Sequence, residues 1–361
     1  MLDEMGGRGI DTFSSDVCEL MPLPAAEATF RSDEAINLVD PFALELMSTA
    51  PMRRLVGIGF LGAIDFIRQG SGRSAHRRRH NRLEHTLGVA RLANTYAREA
   101  GLSQSRRRLL LAAALLHDVG HGPLSHTLEP VFAEAFDVDH HSMTRRIVRG
   151  ETRYGRDVYA SLRAAALDPD EVLAMIDGHH DGPDAFLFAG SINLDTLDGI
   201  VRSRAFMEPR AAPQAMLRAV RRWAQTGHAP LSEFDSFWTL KHDVYTLLIG
   251  GARGRLLDAV AQAYMKANID AFDATDFERS EDTLRKRHRQ LFELLCLVAD
   301  RRSSLKDHIP RNWMKDEVMV KDRAFTVRTD RVLNEPNELD ARYTQSKSTR
   351  RVSIEELVQA L

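Results

Sequence analysis

The feature that most constrains this sequence is an uninterrupted apolar run over residues 109–116, which ends in the pair His117-Asp118. A run of this length predicts a helix buried in a core. An imidazole and a carboxylate at the end of such a helix are costly to bury without compensation. A divalent metal ion compensates well, because it takes both groups as ligands and cancels the buried charge. The segment therefore indicates a metal centre at the end of a core helix.

Two further residues complete a set of four candidate ligands, His85 upstream and Asp195 downstream. His85 lies in the first turn of a predicted helix that begins near Leu83, and Asp195 lies near the start of a helix predicted over residues 192–204. Mixed imidazole and carboxylate ligands suit Mn, Fe, Zn, Co or Ni more than Ca. Such a set leaves open positions for water and a phosphate oxygen, so the pattern indicates a metal-dependent hydrolase.

A His-Asp pair at a helix end has an ordinary interpretation as well. Most such pairs cap a carbonyl or form a surface ion pair, and only a minority are catalytic. The stretch that follows favours the catalytic interpretation, because its glycines permit tight turns that can bring His121 and His126 back towards the same centre.

Composition excludes several classes of protein. The 361 residues carry a formal net charge of -2, so no global field points to nucleic acid or to a membrane surface. The N-terminus lacks a signal-peptide pattern and no apolar stretch is long enough to span a membrane, which predicts a cytoplasmic protein without a membrane partner. Cys18 and Cys296 are far apart and suggest neither a disulfide framework nor a thiolate metal site.

The periodicity of apolar residues predicts a mostly α-helical protein with a small mixed C-terminal part. Strand alternation is convincing only over residues 318–327. We expect an N-terminal arm at residues 1–35 and a helical core at 36–205. Residues 206–361 are expected to complete that core or to form an interface in a homo-oligomer, with a polar tail over 334–351. Helices are also predicted over residues 143–148, 169–177, 214–224, 245–267 and 281–301.

Three blocks of the sequence resemble the HD-domain phosphohydrolases, and most closely the branch of deoxynucleoside triphosphate triphosphohydrolases. Residues 80–89 read HNRLEHTLGV, residues 115–126 read LLHDVGHGPLSH, and residues 192–198 read INLDTLD. The blocks follow one another in the family's order, and the likeness covers about residues 36–205. The first two blocks are long and specific, whereas the third is shorter and has Asn193 where the family has Asp.

The resemblance implies a helical HD-domain bundle that holds one or two divalent ions. The candidate metals are then Mn, Fe, Zn, Co, Ni and Mg. The implied metal ligands are His85, His117, Asp118 and Asp195, and Asp198 is the alternative for the last of them. In this family a metal-bound water attacks phosphorus.

The resemblance also assigns roles around the metal. His121, His126 and His140 match the histidines that handle protons and phosphate charge, with His141 as the alternative to His140, and Glu129 matches an acidic residue that orients a catalytic histidine. Arg82 matches a phosphate-binding arginine and Gln69 a sugar-contacting glutamine. These roles agree with the chemistry, because hydrolysis of a phosphoester develops negative charge that a cation offsets and needs a proton at the leaving oxygen.

The sequence departs from the family where sugar and phosphate are recognised. Gly199 and Ser203 replace a tyrosine that packs on the sugar and an aspartate that contacts its hydroxyl, and Thr196 replaces a phosphate-contacting lysine. Losing a buried acceptor changes specificity strongly. We therefore expect a phosphoric ester hydrolase acting on a nucleotide or another phosphorylated small molecule.

Three substrate or function alternatives stay open at this point. A (deoxy)nucleoside triphosphate fits the resemblance, and a nucleoside monophosphate or a modified nucleotide fits the altered recognition positions equally well. A nucleotide-binding HD sensor or interaction protein with little turnover is the alternative to an enzyme. Nuclease action would need a basic channel that the charge balance does not indicate.

Overall fold

The computed structural model describes residues 40–67, 79–190, 192–207, 231–300, 308–331 and 339–361. The predicted N-terminal arm, Gln69 and the predicted helix at 214–224 lie outside the described residues. The helices up to residue 207 are α1 (Pro41–Ser48), α2 (Ala50–Arg54), α3 (Arg82–Glu99), α4 (Gln104–Leu116), α5 (Glu129–Phe136), α6 (His140–Val148), α7 (Gly155–Ala164), α8 (Pro169–Ile176) and α9 (Leu194–Met207).

The second half is also mainly helical, and it contains a two-stranded antiparallel sheet near its end. Its helices are α10 (Leu231–Asp243), a π-helical turn (Val244–Ile249), α11 (Ala252–Ala267), α12 (Glu281–Arg287), α13 (Arg289–Ala299), α14 (Leu339–Arg342) and α15 (Ile354–Gln359). The strands are β1 (Glu317–Val327) and β2 (Tyr343–Ser353). The expected fold class, mostly α with a small mixed C-terminal region, is confirmed.

Helices α3 and α4 form the centre of the bundle. Asn81 begins α3, where its side chain accepts a hydrogen bond from the Glu84 amide while Glu84 reaches back to the Asn81 amide. Ser103 caps the start of α4, and every residue from Leu109 to Leu116 is buried. Helix α3 packs against α4 and α9, so the residues of all three sequence blocks lie on neighbouring elements.

One hydrophobic cluster connects the two halves of the chain. It includes Phe42 near the start of the described residues and Leu357 near their end. Helix α11 packs against α13, α15 and the short 3-10 helix Gly62–Phe66, which precedes the first block. The helices after residue 230 therefore contribute to the core that supports the site.

Three details differ from the expectations. The polar tail over residues 334–351 contains β2, whose register pairs Tyr343 with Val327 and Ser353 with Glu317. Most of β2 is exposed on both faces, so it lacks the alternation that identifies a strand in sequence. The helix expected over 281–301 is interrupted at His288, whose φ of -123° and ψ of 54° are not helical. Cys296 is disulfide-bonded although no disulfide was expected; Cys18 lies outside the described residues.

Within the described ranges, the structure contains no helix that is both long and apolar enough to cross a membrane.

Candidate metal centre and catalytic pocket

Four side chains converge at the C-terminal end of α4: His85 from α3, His117 and Asp118 from the turn after α4, and Asp195 from α9. His85 Nε2 lies 3.3 Å from His117 Nε2, 3.5 Å from Asp118 Oδ2 and 3.1 Å from Asp195 Oδ1. The His117 Nε2 lies 3.6 Å from the same Asp118 oxygen and 3.9 Å from Asp195. The side chain of Asp195 is 51% exposed, whereas His85 is 1% exposed, so the cluster opens on the Asp195 side.

The second nitrogen of each histidine fixes the direction of its ring. His85 Nδ1 donates to Asp198 Oδ2 at 2.7 Å, and His117 Nδ1 donates to the Ala114 carbonyl at 2.9 Å. Both Nε2 atoms are thereby directed at the shared centre. Partners of this kind are what orient histidine ligands in metal sites.

The electrostatics of the cluster favour a cation. Burial on its own would lower the pKa of His85, but its hydrogen bonds with Asp195 and Asp198 raise it to about 9. Burial would likewise raise the pKa of Asp118, but His117, His121 and Arg82 hold it well below its usual range. Without a metal, the positive charge that the carboxylates require is thus supplied by a proton on His85.

This donor set fits a divalent ion. The ligand atoms of His85, His117 and Asp118 all lie within 4.8 Å of one another, and Asp195 adds a second carboxylate oxygen beside His85. Two imidazole nitrogens and two carboxylate oxygens suit a transition ion better than Ca. An ion at this point would take the place of the His85 Nε2 proton and satisfy all four groups.

Asp198 lies on the other side of His85 from Asp195. It also receives two hydrogen bonds from Arg202, at 2.9 and 3.0 Å. Gly88 makes this arrangement possible, because a Cβ there would come within 2.0 Å of Asp198 Oδ1. The structure thus places Asp195 towards the cluster and Asp198 behind His85, where it orients the ring.

A second group of side chains stands beside the first. The ligand-type atoms of His121, His126, Glu129 and His140 lie within 4.8 Å of one another. His140 Nδ1 donates to Glu129 Oε2 at 2.7 Å, and the rings of His140 and His121 are stacked with their centroids 4.2 Å apart. His141 is not part of this group of described residues.

The members of the second group differ in exposure. His121 is buried and its Nε2 donates to Asp118 Oδ1 at 3.2 Å, which joins the two groups. Burial, followed by the charge of Arg82, keeps the pKa of His121 well below its usual range, so the ring is neutral. Its Nδ1 has no hydrogen-bond partner among the described residues. The side chain of His126 is 63% exposed and can meet a ligand from solvent.

Arg82 lies between the two groups. Its Nη1 donates to Asp118 Oδ2 at 2.7 Å and its Nε donates to Ser125 Oγ at 2.9 Å. The guanidinium also lies over the Phe60 ring, 5.0 Å from its centroid. A buried cation is thus fixed beside the candidate ligands, where it could face an anionic substrate.

The loop before His126 is strained, and a distant carboxylate supports it. Leu124 and Ser125 have φ values of 57° and 48°, in the left-handed region that non-glycine residues rarely adopt. Glu281 Oε1 accepts hydrogen bonds from the Leu124 amide at 3.3 Å and from the Gly59 amide at 2.7 Å. Arg79 donates to its other oxygen at 3.1 Å.

Glu281 is therefore a residue that the sequence analysis missed. It is buried, and its hydrogen bonds connect Gly59, Arg79 and Leu124, which lie in three separate segments of the chain. Its only local signal is its place in the first turn of a predicted helix, where acidic residues are common. Nothing in the sequence indicates its partners, which are more than 150 residues away.

The departures at Thr196, Gly199 and Ser203 have local structural consequences. Thr196 and Asn193 form reciprocal hydrogen bonds at the start of α9, at 2.8 and 3.1 Å, so Thr196 acts in a helix cap. Ser203 Oγ donates to the Gly199 carbonyl at 2.7 Å and is turned back onto its own helix. A Cβ at Gly199 would lie 3.7 Å from His85, so the missing side chain leaves space directly beside the candidate metal centre.

Residues 82–215 match the family model described as "HD domain". This match contains the candidate metal ligands and the second group of side chains. It confirms the resemblance that the sequence blocks indicated.

Curated relatives match over part of their length. The uncharacterized protein YwfO of Bacillus subtilis is 30% identical over 172 residues, which are 46% of this chain and 37% of YwfO. The deoxynucleoside triphosphate triphosphohydrolase SAMHD1 of Gallus gallus is 35% identical over 101 residues, which are 26% of this chain and 15% of SAMHD1. The chain thus spans well under half the length of these relatives.

A solved structure shares the fold over most of the chain. The phosphohydrolase BT4208 of Bacteroides thetaiotaomicron superimposes with a TM-score of 0.58 at 14% identity, covering 86% of this chain and 94% of that one. The likeness extends well beyond residues 82–215, so the C-terminal helices belong to the shared architecture.

Proposed function

Because this chain carries an HD domain at residues 82–215, we propose that it is a metal-dependent phosphohydrolase that acts on a nucleotide or a related phosphorylated small molecule. The observation that carries the proposal is the convergence of two imidazole nitrogens and two carboxylate oxygens from α3, α9 and the turn after α4. A second group of histidines and a buried arginine adjoin that centre. Structural ion pairs alone do not require so many titratable groups at one point.

His85, His117, Asp118 and Asp195 would hold the ion. When bound, a divalent ion lowers the pKa of water and offsets negative charge on phosphoryl oxygens. Asp198 and the Ala114 carbonyl keep the two imidazoles directed at that position. The half-exposed Asp195 marks the side from which a substrate enters.

The chain's own residues supply the remaining chemistry. Arg82 is fixed beside Asp118 and offsets the charge that develops on the phosphoryl oxygens. The neutral His121 lies between the metal ligands and His140. His140, held by Glu129, and the exposed His126 are placed to donate a proton to the leaving oxygen.

A (deoxy)nucleoside triphosphate is the substrate class that the named relatives favour, since SAMHD1 of Gallus gallus carries that name. The space beside Gly199 and the inward-turned Ser203 favour a different contact with the sugar than a tyrosine and an aspartate would make. We therefore propose a triphosphohydrolase-like enzyme whose selectivity for sugar or base differs from that of enzymes with the tyrosine and the aspartate. Nucleoside monophosphates or modified nucleotides are the second candidate class of substrate.

A nucleotide panel tests this proposal. Purified full-length protein is incubated with nucleoside triphosphates, deoxynucleoside triphosphates and monophosphates in the presence of Mn, Mg or Co, and products are separated by chromatography. We expect release of inorganic tripolyphosphate or phosphate from at least one class. Binding of a nucleotide without any product, at every metal, would instead favour the sensor interpretation.

A further inference from the structure

A pocket lies between the π-helical turn and the C-terminal sheet. It has a volume of about 340 Å³, within the range of small-molecule sites. Its lining includes three cationic side chains, Arg255, Arg323 and Lys347, and one acidic side chain, Asp322. The hydroxyls of Thr246, Ser346 and Ser348 complete a lining rich in hydrogen-bond donors.

The positive charge of this pocket is only partly compensated. Asp322 is engaged by Arg255 and, at 3.2 Å, by Arg350. Arg323 donates to the hydroxyl of Tyr245 at 3.0 Å, and among the described residues neither Arg323 nor Lys347 has an ion-pair partner. Two positive charges are thus left for a ligand.

The sheet register sets these two charges side by side. Arg323 on β1 is the direct partner of Lys347 on β2 in the antiparallel ladder. Like charges directly opposite each other in a sheet are unfavourable. An anion between them would remove that repulsion, and several acceptor oxygens would use the planar donors of Arg323 together with the ammonium of Lys347.

Tyr245 forms part of the wall of this pocket. Its ring packs 4.8 Å from Phe325 and lies under the Arg323 guanidinium, which is 5.1 Å from the ring centroid. The π-helical turn that carries Tyr245 packs against α9, the helix of Asp195. The pocket wall and the helix of a candidate metal ligand are therefore neighbours.

We propose that Arg323 and Lys347 form a binding site for a phosphate-bearing anion, next to the π-helical turn that packs against α9. A phosphate group supplies the negative charge and the acceptor oxygens that would pair with Arg323 and Lys347. A single-stranded nucleic acid is disfavoured, because base stacking needs a free aromatic face and the Tyr245 ring is covered by Phe325 and Arg323. The anion is either the phosphate end of the substrate, in which case the site rests on the proposed function, or a separate phosphorylated ligand.

Inorganic tripolyphosphate is the probe that tests the site. Its binding is measured by calorimetry on metal-free, full-length protein carrying His117→Ala, so that neither the metal centre nor turnover contributes. Arg323→Ala with Lys347→Ala should weaken binding by about ten-fold or more, since two charge-assisted contacts are lost. Lys321→Ala on the same strand is the matched control and should change binding by less than about two-fold.

Three results would overturn the site: no tripolyphosphate binding in the His117→Ala protein, equal weakening by Lys321→Ala, or no weakening by the double substitution. Lys347→Ala alone keeps the test valid if the double variant misfolds. It should fold normally, because the Lys347 side chain is exposed on the sheet and supports no packing. It should weaken tripolyphosphate binding in the same direction as the pair.

The metal-loaded enzyme distinguishes the two sources of phosphate. If the pocket holds the substrate's phosphate end, Lys347→Ala raises KM for a nucleoside triphosphate but not for a monophosphate. If it holds a separate ligand, KM is unchanged and added tripolyphosphate alters the rate in the wild type but not in Lys347→Ala. Binding with neither effect would mean an adventitious ion only and would overturn a functional role. If the protein shows no turnover with any nucleotide, the proposed function is wrong, whereas the calorimetry still tests the anion-binding site.

Discussion

Asp198 accepts a hydrogen bond from Nδ1 of His85 at 2.7 Å, while Nε2 of the same ring is directed at Asp195 and His117. One carboxylate thereby fixes which nitrogen of His85 is available to a metal ion. Asp198 is itself held by Arg202 and lies where Gly88 leaves room for it. The orientation of His85 on α3 thus depends on two residues of α9, which lie more than 100 residues later in the sequence.

Asp198→Asn should weaken metal binding without removing a ligand. The substitution deletes the charge behind His85, and the loss of such a partner lowers affinity by about 10- to 100-fold. Mn affinity, measured by competition with a chelator, gives the effect. Asp170→Asn, in an exposed pair with Arg149, is the control and should leave affinity unchanged. Equal affinities in Asp198→Asn and the wild type would show that Asp198 does not position His85.

Glu129→Gln should separate metal binding from catalysis. Glu129 orients His140 but lies outside the four proposed ligands, so we expect an unchanged metal content and a kcat lower by about 100-fold. Glu134→Gln, exposed on the same helix, should behave like the wild type. Loss of metal in Glu129→Gln would instead make this residue a ligand.

Glu281→Gln tests the support of the strained loop. The substitution removes a buried charge from Arg79 and weakens the acceptor for the Leu124 and Gly59 amides, which should lower the free energy of unfolding by about 3 kcal/mol. Urea denaturation of the metal-free protein measures it. The exposed neighbour Asp282 provides the control, and Asp282→Asn should stay within about 0.5 kcal/mol of the wild type. A similar small change in Glu281→Gln would refute the supporting role.

Asp258 predicts a pH dependence of stability. It accepts a hydrogen bond from Thr127 at 2.6 Å, and burial raises its pKa to about 6. Because the folded pKa exceeds the unfolded value near 4, the folded state binds the extra proton, and the contribution of Asp258 to stability should fall as pH rises from about 4 to about 6. Asp258→Asn keeps the acceptor for Thr127 but cannot ionise.

The difference in unfolding free energy between wild type and Asp258→Asn should therefore change by about 2 kcal/mol over this pH range, since each unit of pKa shift is worth about 1.4 kcal/mol. Denaturant titrations at pH 4, 5, 6 and 7 measure it in metal-free protein. A difference that stays constant with pH would show that Asp258 ionises normally in the folded state.

Local patterns in the sequence predict the fold class and several helix ends. Ser103, and Asp168 with Pro169, begin helices as their side chains suggest. The resemblance to HD-domain proteins can also be recognised in the sequence, because the residues that carry it lie close together within short blocks. Strand β2 could not be predicted, since its exposed residues show no alternation.

The residues near the candidate site that the sequence does not predict make their contacts with distant segments of the chain. Glu281 and Asp258 lie on helices after residue 230, and each accepts a hydrogen bond from a loop that precedes it by more than 130 residues. Tyr245 lies in the π-helical turn that packs against α9. Side-chain type alone assigns none of them a role, because acidic residues near helix starts and aromatic residues in apolar stretches are common. Only the packing of α11 and α12 against the HD segments shows what they contact.

Metal content and phosphate release, measured on the same preparations, test the central claim most directly. Wild-type protein should retain a divalent ion after dialysis and release phosphate from a nucleotide, whereas His117→Ala and Asp118→Ala should lose both. His180→Ala, in a loop where it contacts Glu171, should keep both. Retained turnover or undiminished metal in either His117→Ala or Asp118→Ala would contradict the assignment of the centre.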